Sequence, residues 1–168
     1  TAGSGYYNYS GKSDNIYGQV VGNDLYNDII VGRFSAENET HVTTQVNKVI
    51  HYERDLNASA TWCNTGIGIA KNEGAGGGHF GESDYAHMDF IRDTLLHYNY
   101  TNVHRDYQGV PGVNSSAAII SQHINDGASI INYCNHGSET GWGVFGYSNS
   151  NVNALTNDNM LPIVWSVA

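Results

Sequence analysis

From about residue 29 onward, two kinds of apolar pattern alternate along the chain. Ile29-Ile30-Val31-Gly32-Arg33-Phe34, Ile67-Gly68-Ile69-Ala70, Ile130-Ile131-Asn132-Tyr133 and Leu161 to Ala168 are short runs rich in β-branched and aromatic residues, as strands are. Between them apolar positions recur at helical spacing. Glu37 to Leu56 places Val42, Val46, Val49, Ile50 and Leu56 on one face, and a helix opening at Ser83 and running to about Tyr98 aligns Met88, Ile91 and Leu95. Ser115 to Asp126 forms a third helix, closed by Gly127. Strands alternating with helices of about 12–20 residues predict an α/β fold with a largely parallel sheet. The run Leu161 to Ala168 is apolar or β-branched at nearly every position, which predicts a parallel strand covered on both faces that delivers a functional residue at its C-terminal edge. Thr1 to Ser13 lacks any period and is expected to be exposed or part of a longer loop; there are no internal repeats.

Composition narrows the class. The 168 residues suffice for one domain with a real core, at 40% hydrophobic content. Seven Lys and Arg against sixteen Asp and Glu leave a formal charge of −9, which argues against a nucleic-acid surface and favours cationic partners, either metal ions or basic side chains. Twelve tyrosines and few lysines fit an extracellular surface. No apolar run approaches the roughly 20 residues that cross a bilayer, and nothing at the start has a signal-peptide pattern. Two cysteines, Cys63 and Cys134, make at most one bridge.

Candidate chemistry gathers where the predicted strands end, the edge at which parallel sheets bind ligands. The strand beginning at Ile130 stops at His136-Gly137. A histidine there can shuttle protons near neutral pH, and a glycine lets backbone N–H groups approach a reacting carbonyl. Cys134, two residues before His136, raises a Cys–His pair as an option, although positions so close on one strand rarely place sulfur and imidazole across a substrate carbonyl. The polar, glycine-rich loop from Lys71 to Gly81 offers Glu73 as an imidazole-orienting carboxylate, and Asp84, near a helix start, as acceptor for a cationic group. The alternative is a solvated loop in which Ser83 or Asp84 merely caps the helix. A zinc site from His79, Asp84 and His87 is a further option without a recognised zinc signature.

The segment Asn132-Tyr133-Cys134-Asn135-His136-Gly137-Ser138-Glu139-Thr140-Gly141-Trp142-Gly143, with Leu155 to Pro162, resembles the catalytic domain of the gingipains, bacterial cysteine peptidases of caspase-like fold. Ser13 to Asp24, Gly32-Arg33-Phe34-Ser35, Ile50-His51-Tyr52-Glu53-Arg54 and Gly81-Glu82-Ser83-Asp84 resemble the arginine-specific members in particular, and the similarity runs from about Lys12 to Ala168. It implies a caspase-like three-layer α/β fold with a largely parallel sheet flanked by helices. The chain is then part of a peptidase catalytic domain, with residues 1–60 ending a first subdomain and 61–168 beginning a second, catalytic one.

By that resemblance His136 matches the catalytic histidine, Gly137 an oxyanion-hole N–H and Glu73 the residue orienting the imidazole. Asp84 matches the carboxylate at the base of the specificity pocket, and Cys134 and Val167 line that pocket; Cys134 stands where the family usually has threonine, and Asn135 where it has glycine. The nucleophilic cysteine is expected immediately after Ala168. Asp24-Leu25-Tyr26-Asn27-Asp28 alternates oxygen donors as a calcium loop does, and the matching gingipain segment binds calcium, so Asp24, Tyr26 and Asp28 are its expected ligands. The implied function is a secreted or cell-surface cysteine endopeptidase that cleaves proteins after arginine, inactive as this piece alone, with the remainder of the catalytic domain as its partner. The alternative is a gingipain-like binding or secretion-associated protein without chemistry.

Overall fold

The computed structural model describes residues 14–24, 26–57, 59–76 and 80–168. The expectation for Thr1 to Ser13, and the proposed zinc ligand His79, lie outside them. Packing divides the chain into two compact units, Thr1–Asn47 and Lys48–Ala168.

In the first unit a short 3-10 turn, Asn15–Gly18, is followed by a loop that folds back on it, with Asp28 N–H donating to Gly18 O at 2.9 Å. Gly18 is required there, because a Cβ would lie 2.6 Å from the Ile29 carbonyl oxygen. Arg33 forks onto the Asp14 carboxylate, Nε to Oδ2 at 2.7 Å. The strand expected over Ile29 to Phe34 does not form among the described residues: the segment joins no ladder, and Ile30 is fully exposed. β-Branched composition favours extended backbone, but only a neighbouring strand makes it a sheet. Helix α1 (Glu39–Ile50) begins in this unit and is followed by a π-helical turn, His51–Asp55, together matching the helix expected from Glu37 to Leu56.

The second unit is built on four parallel strands, β1 (Thr65–Lys71), β2 (Asn102–Gln108), β3 (Ile130–Cys134) and β6 (Ile163–Val167), in the order β2-β1-β3-β6. Helix α2 (Asp84–His97) connects β1 to β2, and α3 (Ala117–Asp126) connects β2 to β3. A two-stranded antiparallel ribbon, β4 (Gly137–Ser138) with β5 (Gly141–Trp142), and the short α4 (Asn149–Asn153) precede β6. The sheet is thus largely parallel and flanked by helices, as expected.

Alternation along the strands sorts side chains onto two faces. Ile67, Ile69, Ile131 and Tyr133 pack with Ile120 and Ile124 of α3. Ala70 and Tyr107 pack with Met88 of α2. Gly68 lets Tyr107 lie across β1, since a Cβ would come 3.3 Å from its hydroxyl. Ser116 caps α3 by accepting from Ile119 N–H, and Gly127 ends it with φ of +98°, where a Cβ would meet that of Trp62 at 2.6 Å.

Strand β2 escaped the periodicity because both its faces carry polar groups. Asp106 is buried at 1% exposure, satisfied by Ser115 Oγ at 2.6 Å and His123 Nδ1 at 2.9 Å, while Arg105 leaves the opposite face to fork onto Asp89 of α2 at 2.9 Å. The expectation for the last strand also needs correction. β6 forms where predicted, yet all five residues are exposed, because it is an edge strand hydrogen-bonded to β3 alone among the described residues. Its apolar run reflects strand propensity rather than burial in this structure.

Ile120→Ala, at a fully buried α3 position, should lower the unfolding free energy by about 2–5 kcal/mol in a denaturant titration. Val164→Ala on the exposed edge strand should cost under about 0.5 kcal/mol. Equal losses would contradict this placement of the core.

Candidate active site

Parallel register brings Ala70, Cys134 and Val167 abreast at the C-terminal ends of β1, β3 and β6. Cys134 and Val167 therefore share the face covered by α2, whose first residue is Asp84. The Ser83 side chain makes no capping bond, and the Asp84 carboxylate points to the end of β3, where Asn135 Nδ2 donates to its Oδ2 at 3.0 Å. Asn135 is buried, and its backbone N–H extends the ladder to Val167 O at 3.2 Å. Burial pushes the Cys134 thiol above its ordinary pKa, and the negative charge of Asp84 adds to the shift. A thiol so placed is a poor nucleophile at neutral pH, which weighs against the Cys134–His136 pair.

His136 sits in the turn between β3 and β4. Its carbonyl accepts from Gly143 N–H at 2.7 Å and from the Tyr133 hydroxyl, and Gly143 N–H also lies 3.0 Å from that hydroxyl. Tyr133 is itself buried and stacked on Trp142, ring centroids 4.4 Å apart and 9° between planes. Trp142 Nε1 in turn donates to Ser166 Oγ on β6 at 3.2 Å. The histidine backbone is thus clamped while its imidazole, 86% exposed, stands free for chemistry.

The imidazole Nε2 lies 3.4 Å from Glu73 Oε2. Lys71 Nζ, 2.8 Å from Glu73 Oε1, holds the Glu73 carboxyl below its ordinary value, with smaller contributions from the Asn135 amide and His136. The group is ionised at neutral pH. A neutral imidazole that keeps its proton on Nε2, the nitrogen facing Glu73, presents Nδ1 as a base. Gly137 abuts the end of β6: a Cβ on it would come 3.0 Å from Ala168 Cβ, so the turn approaches the strand end only because this residue is glycine.

The structure thus gathers Glu73, Asp84, Cys134, His136, Gly137 and Val167 at one edge of the sheet. Asp24, Tyr26 and Asp28 belong to the other unit. There Asp28 Oδ2 accepts from the N–H groups of Val20 and Val21, both at 2.9 Å, and Asp24 Oδ1 from Tyr26 N–H at 2.9 Å. Among the described residues these bonds use one oxygen of each carboxylate, and the donor set is all oxygen, as a hard cation requires. For the zinc option, His87 Nδ1 is taken by Glu82 Oε1 at 2.7 Å, and no cluster of three metal-ligating side chains occurs among the described residues. Both cysteines are free thiols. Sequence reasoning missed Tyr133, Lys71 and the Asn135 side chain, whose roles depend on contacts set by the register. A cavity of about 800 Å³ opens on the α3 face between Ile131, Leu155 and Ile163, away from His136, Glu73 and Asp84.

Residues 4–168 match the model of peptidase family C25. The chain is 41% identical over 157 residues to gingipain R2 of Porphyromonas gingivalis, covering 94% of this chain and 21% of that protein. It is 25% identical over 153 residues to Lys-gingipain HG66 of the same species, covering 88% of this chain and 8% of the relative. Among solved structures, the Arg-specific cysteine proteinase gingipain R superposes with a TM-score of 0.82 at 41% identity, over 93% of this chain and 35% of that one. The chain therefore spans about a fifth of the first of these curated relatives and about a third of the solved structure.

In a Cys63→Ser background, alkylation of Cys134 by iodoacetamide should show a pH midpoint above the ordinary thiol range of about 8.5–9, and Asp84→Asn should lower that midpoint. A midpoint below the range would contradict the pocket environment described.

Proposed function

The chain belongs to peptidase family C25, and from that premise we propose that it carries the histidine and the specificity carboxylate of a secreted or cell-surface cysteine endopeptidase that cleaves proteins after arginine. The nucleophile is a cysteine directly following Ala168. The observation that supports this reading is the convergence on the end of β6, where Asn135 N–H bonds Val167 O, Gly137 abuts Ala168 and the Asn135 amide bonds Asp84.

The thiolate sulfur attacks the carbonyl carbon of the arginine residue, and the oxyanion is received by the Gly137 N–H. His136, oriented by Glu73, gives its proton to the leaving amine as the C–N bond breaks. It then takes a proton from the water that opens the acyl-enzyme. Asp84 takes the guanidinium: a planar cation with paired donors suits a carboxylate, whereas an ammonium offers the same charge with poorer geometry. The resemblance to gingipain R supports this preference over lysine. Residues 1–60 and 61–168 are proposed as parts of two subdomains, completed by the rest of the peptidase. No helix among the described residues is long and apolar enough to cross a membrane.

Calcium is proposed at Asp24, Tyr26 and Asp28, where two carboxylates and a backbone carbonyl supply oxygen ligands. Bound there, it would fix the loop that Asp28 already gathers through Val20 and Val21.

In the intact polypeptide carrying this chain, His136→Ala should abolish cleavage of arginyl substrates, and Asp84→Asn should reduce kcat/KM for them by about 10²-fold or more. Equal cleavage after lysine in the unmodified protein, or any residue other than cysteine after Ala168, would overturn the reading. Millimolar calcium should raise the melting temperature by several degrees, as a ligand bound to the folded state alone does; Asp24→Ala should remove that increment, and an unchanged increment would overturn the site.

A further inference from the structure

We propose that Tyr133 is a positioning residue for the oxyanion donor: by holding the His136 carbonyl, its hydroxyl fixes the direction of the Gly137 N–H. The inference rests on the reading above and adds the device that aims its oxyanion donor. The His136 C=O and the Gly137 N–H belong to one planar peptide unit and point to opposite sides of it, since the bond is trans. Whatever holds the oxygen therefore aims the hydrogen. That oxygen has two donors, Gly143 N–H at 2.7 Å and the Tyr133 hydroxyl, and the hydroxyl oxygen also lies 3.0 Å from Gly143 N. The three groups form a closed triangle on one side of the peptide.

The ribbon leads to the same orientation. Opposed residues in an antiparallel ladder alternate between hydrogen-bonded and non-hydrogen-bonded pairs. The Gly143–His136 bond makes that pair the bonded kind, so Gly137, opposite Trp142, belongs to the other kind and turns its N–H away from β5. The hydroxyl is itself held in place. Tyr133 is 1% exposed, and its ring stacks on Trp142, whose Nε1 donates to Ser166 Oγ at 3.2 Å. Burial pushes the phenol above its ordinary pKa, so it remains a donor through the neutral range. A phenylalanine would keep the stack and lose only the donor. The His136 oxygen would then depend on a single N–H, and the Gly137 N–H would be less firmly aimed at an oxyanion.

The test uses the intact polypeptide carrying this chain, with kcat expressed per site titrated by a peptidyl-arginyl chloromethyl ketone, so that molecules that failed to fold are not counted. A peptidyl-argininal is the second probe: the thiolate adds to its aldehyde carbon, and the former carbonyl oxygen takes the place of the oxyanion. Tyr133→Phe should lower kcat per site by about fivefold to tenfold, as loss of one hydrogen bond does, and weaken the aldehyde by the same factor. KM for an arginyl amide and the high-pH limb of the rate profile, which reports His136, should stay where they are. Replacing Tyr133 by 4-aminophenylalanine, which keeps a weaker donor at the same place, should give values between the two. Should Tyr133→Phe yield no titratable sites, the amino variant alone decides, and a kcat per site equal to that of the unmodified protein overturns the inference. A lowered kcat with unchanged aldehyde affinity, or with a displaced high-pH limb, also overturns it, because the hydroxyl would then act through the imidazole or the scaffold. If the unmodified protein cleaves after arginine and Tyr133→Phe matches it per site, the inference fails and the reading above stands. If the unmodified protein does not cleave arginyl bonds, that reading fails and the inference falls with it.

Discussion

The site depends on the parallel register of β1, β3 and β6. Side chains on a strand alternate faces with a period of two, so a slip of one residue would carry Cys134 or Val167 from the α2 face to the α3 face. The observed register sets Ala70, Cys134 and Val167 in one row above Asp84 and leaves Tyr133 and Ser166 on the opposite side. There Tyr133 braces the His136 carbonyl, and Trp142, stacked on Tyr133, reaches Ser166. The carboxylate proposed for substrate recognition and the support of the histidine thus lie on opposite faces of one strand end. They are joined by the turn that carries His136.

Electrostatics complement that arrangement. The chain carries a formal charge of −9, and the edge of the sheet concentrates part of it in Glu73 and Asp84. Lys71 offsets Glu73 directly, while among the described residues the side-chain partner of Asp84 is the neutral Asn135 amide. The carboxylate without a cationic partner among the described residues is the one proposed to take a cation from the substrate. The paired one is held ionised beside the imidazole. The Cys134 thiol, raised by burial and by Asp84, is suited to lining such a pocket and ill suited to attack.

Much of the scaffold was legible because the physics that forms it is local. Apolar runs located β1, β3 and β6, and helical periodicity with Ser and Gly at the ends located α2 and α3, within two or three residues. The failures have one root in common. β2 was hidden because Asp106 is buried by partners distant in sequence, Ser115 and His123. Ile29 to Phe34 looked like a strand because composition does not reveal whether a neighbouring strand exists. At the site, a histidine and a glycine at a strand end, and an aspartate at a helix start, could be picked out from pattern. The Tyr133 clamp and the Asn135–Asp84 contact could not, because only the register shows where those side chains point.

The most direct measurement is the mapping of a covalent adduct. The intact polypeptide carrying this chain would be treated with a peptidyl-arginyl chloromethyl ketone, digested and sequenced by mass spectrometry. A single adduct on a cysteine immediately after Ala168, suppressed by Asp84→Asn and absent with a lysyl analogue at the same concentration, is the predicted result. An adduct on Cys134, or labelling indifferent to Asp84, would contradict the account.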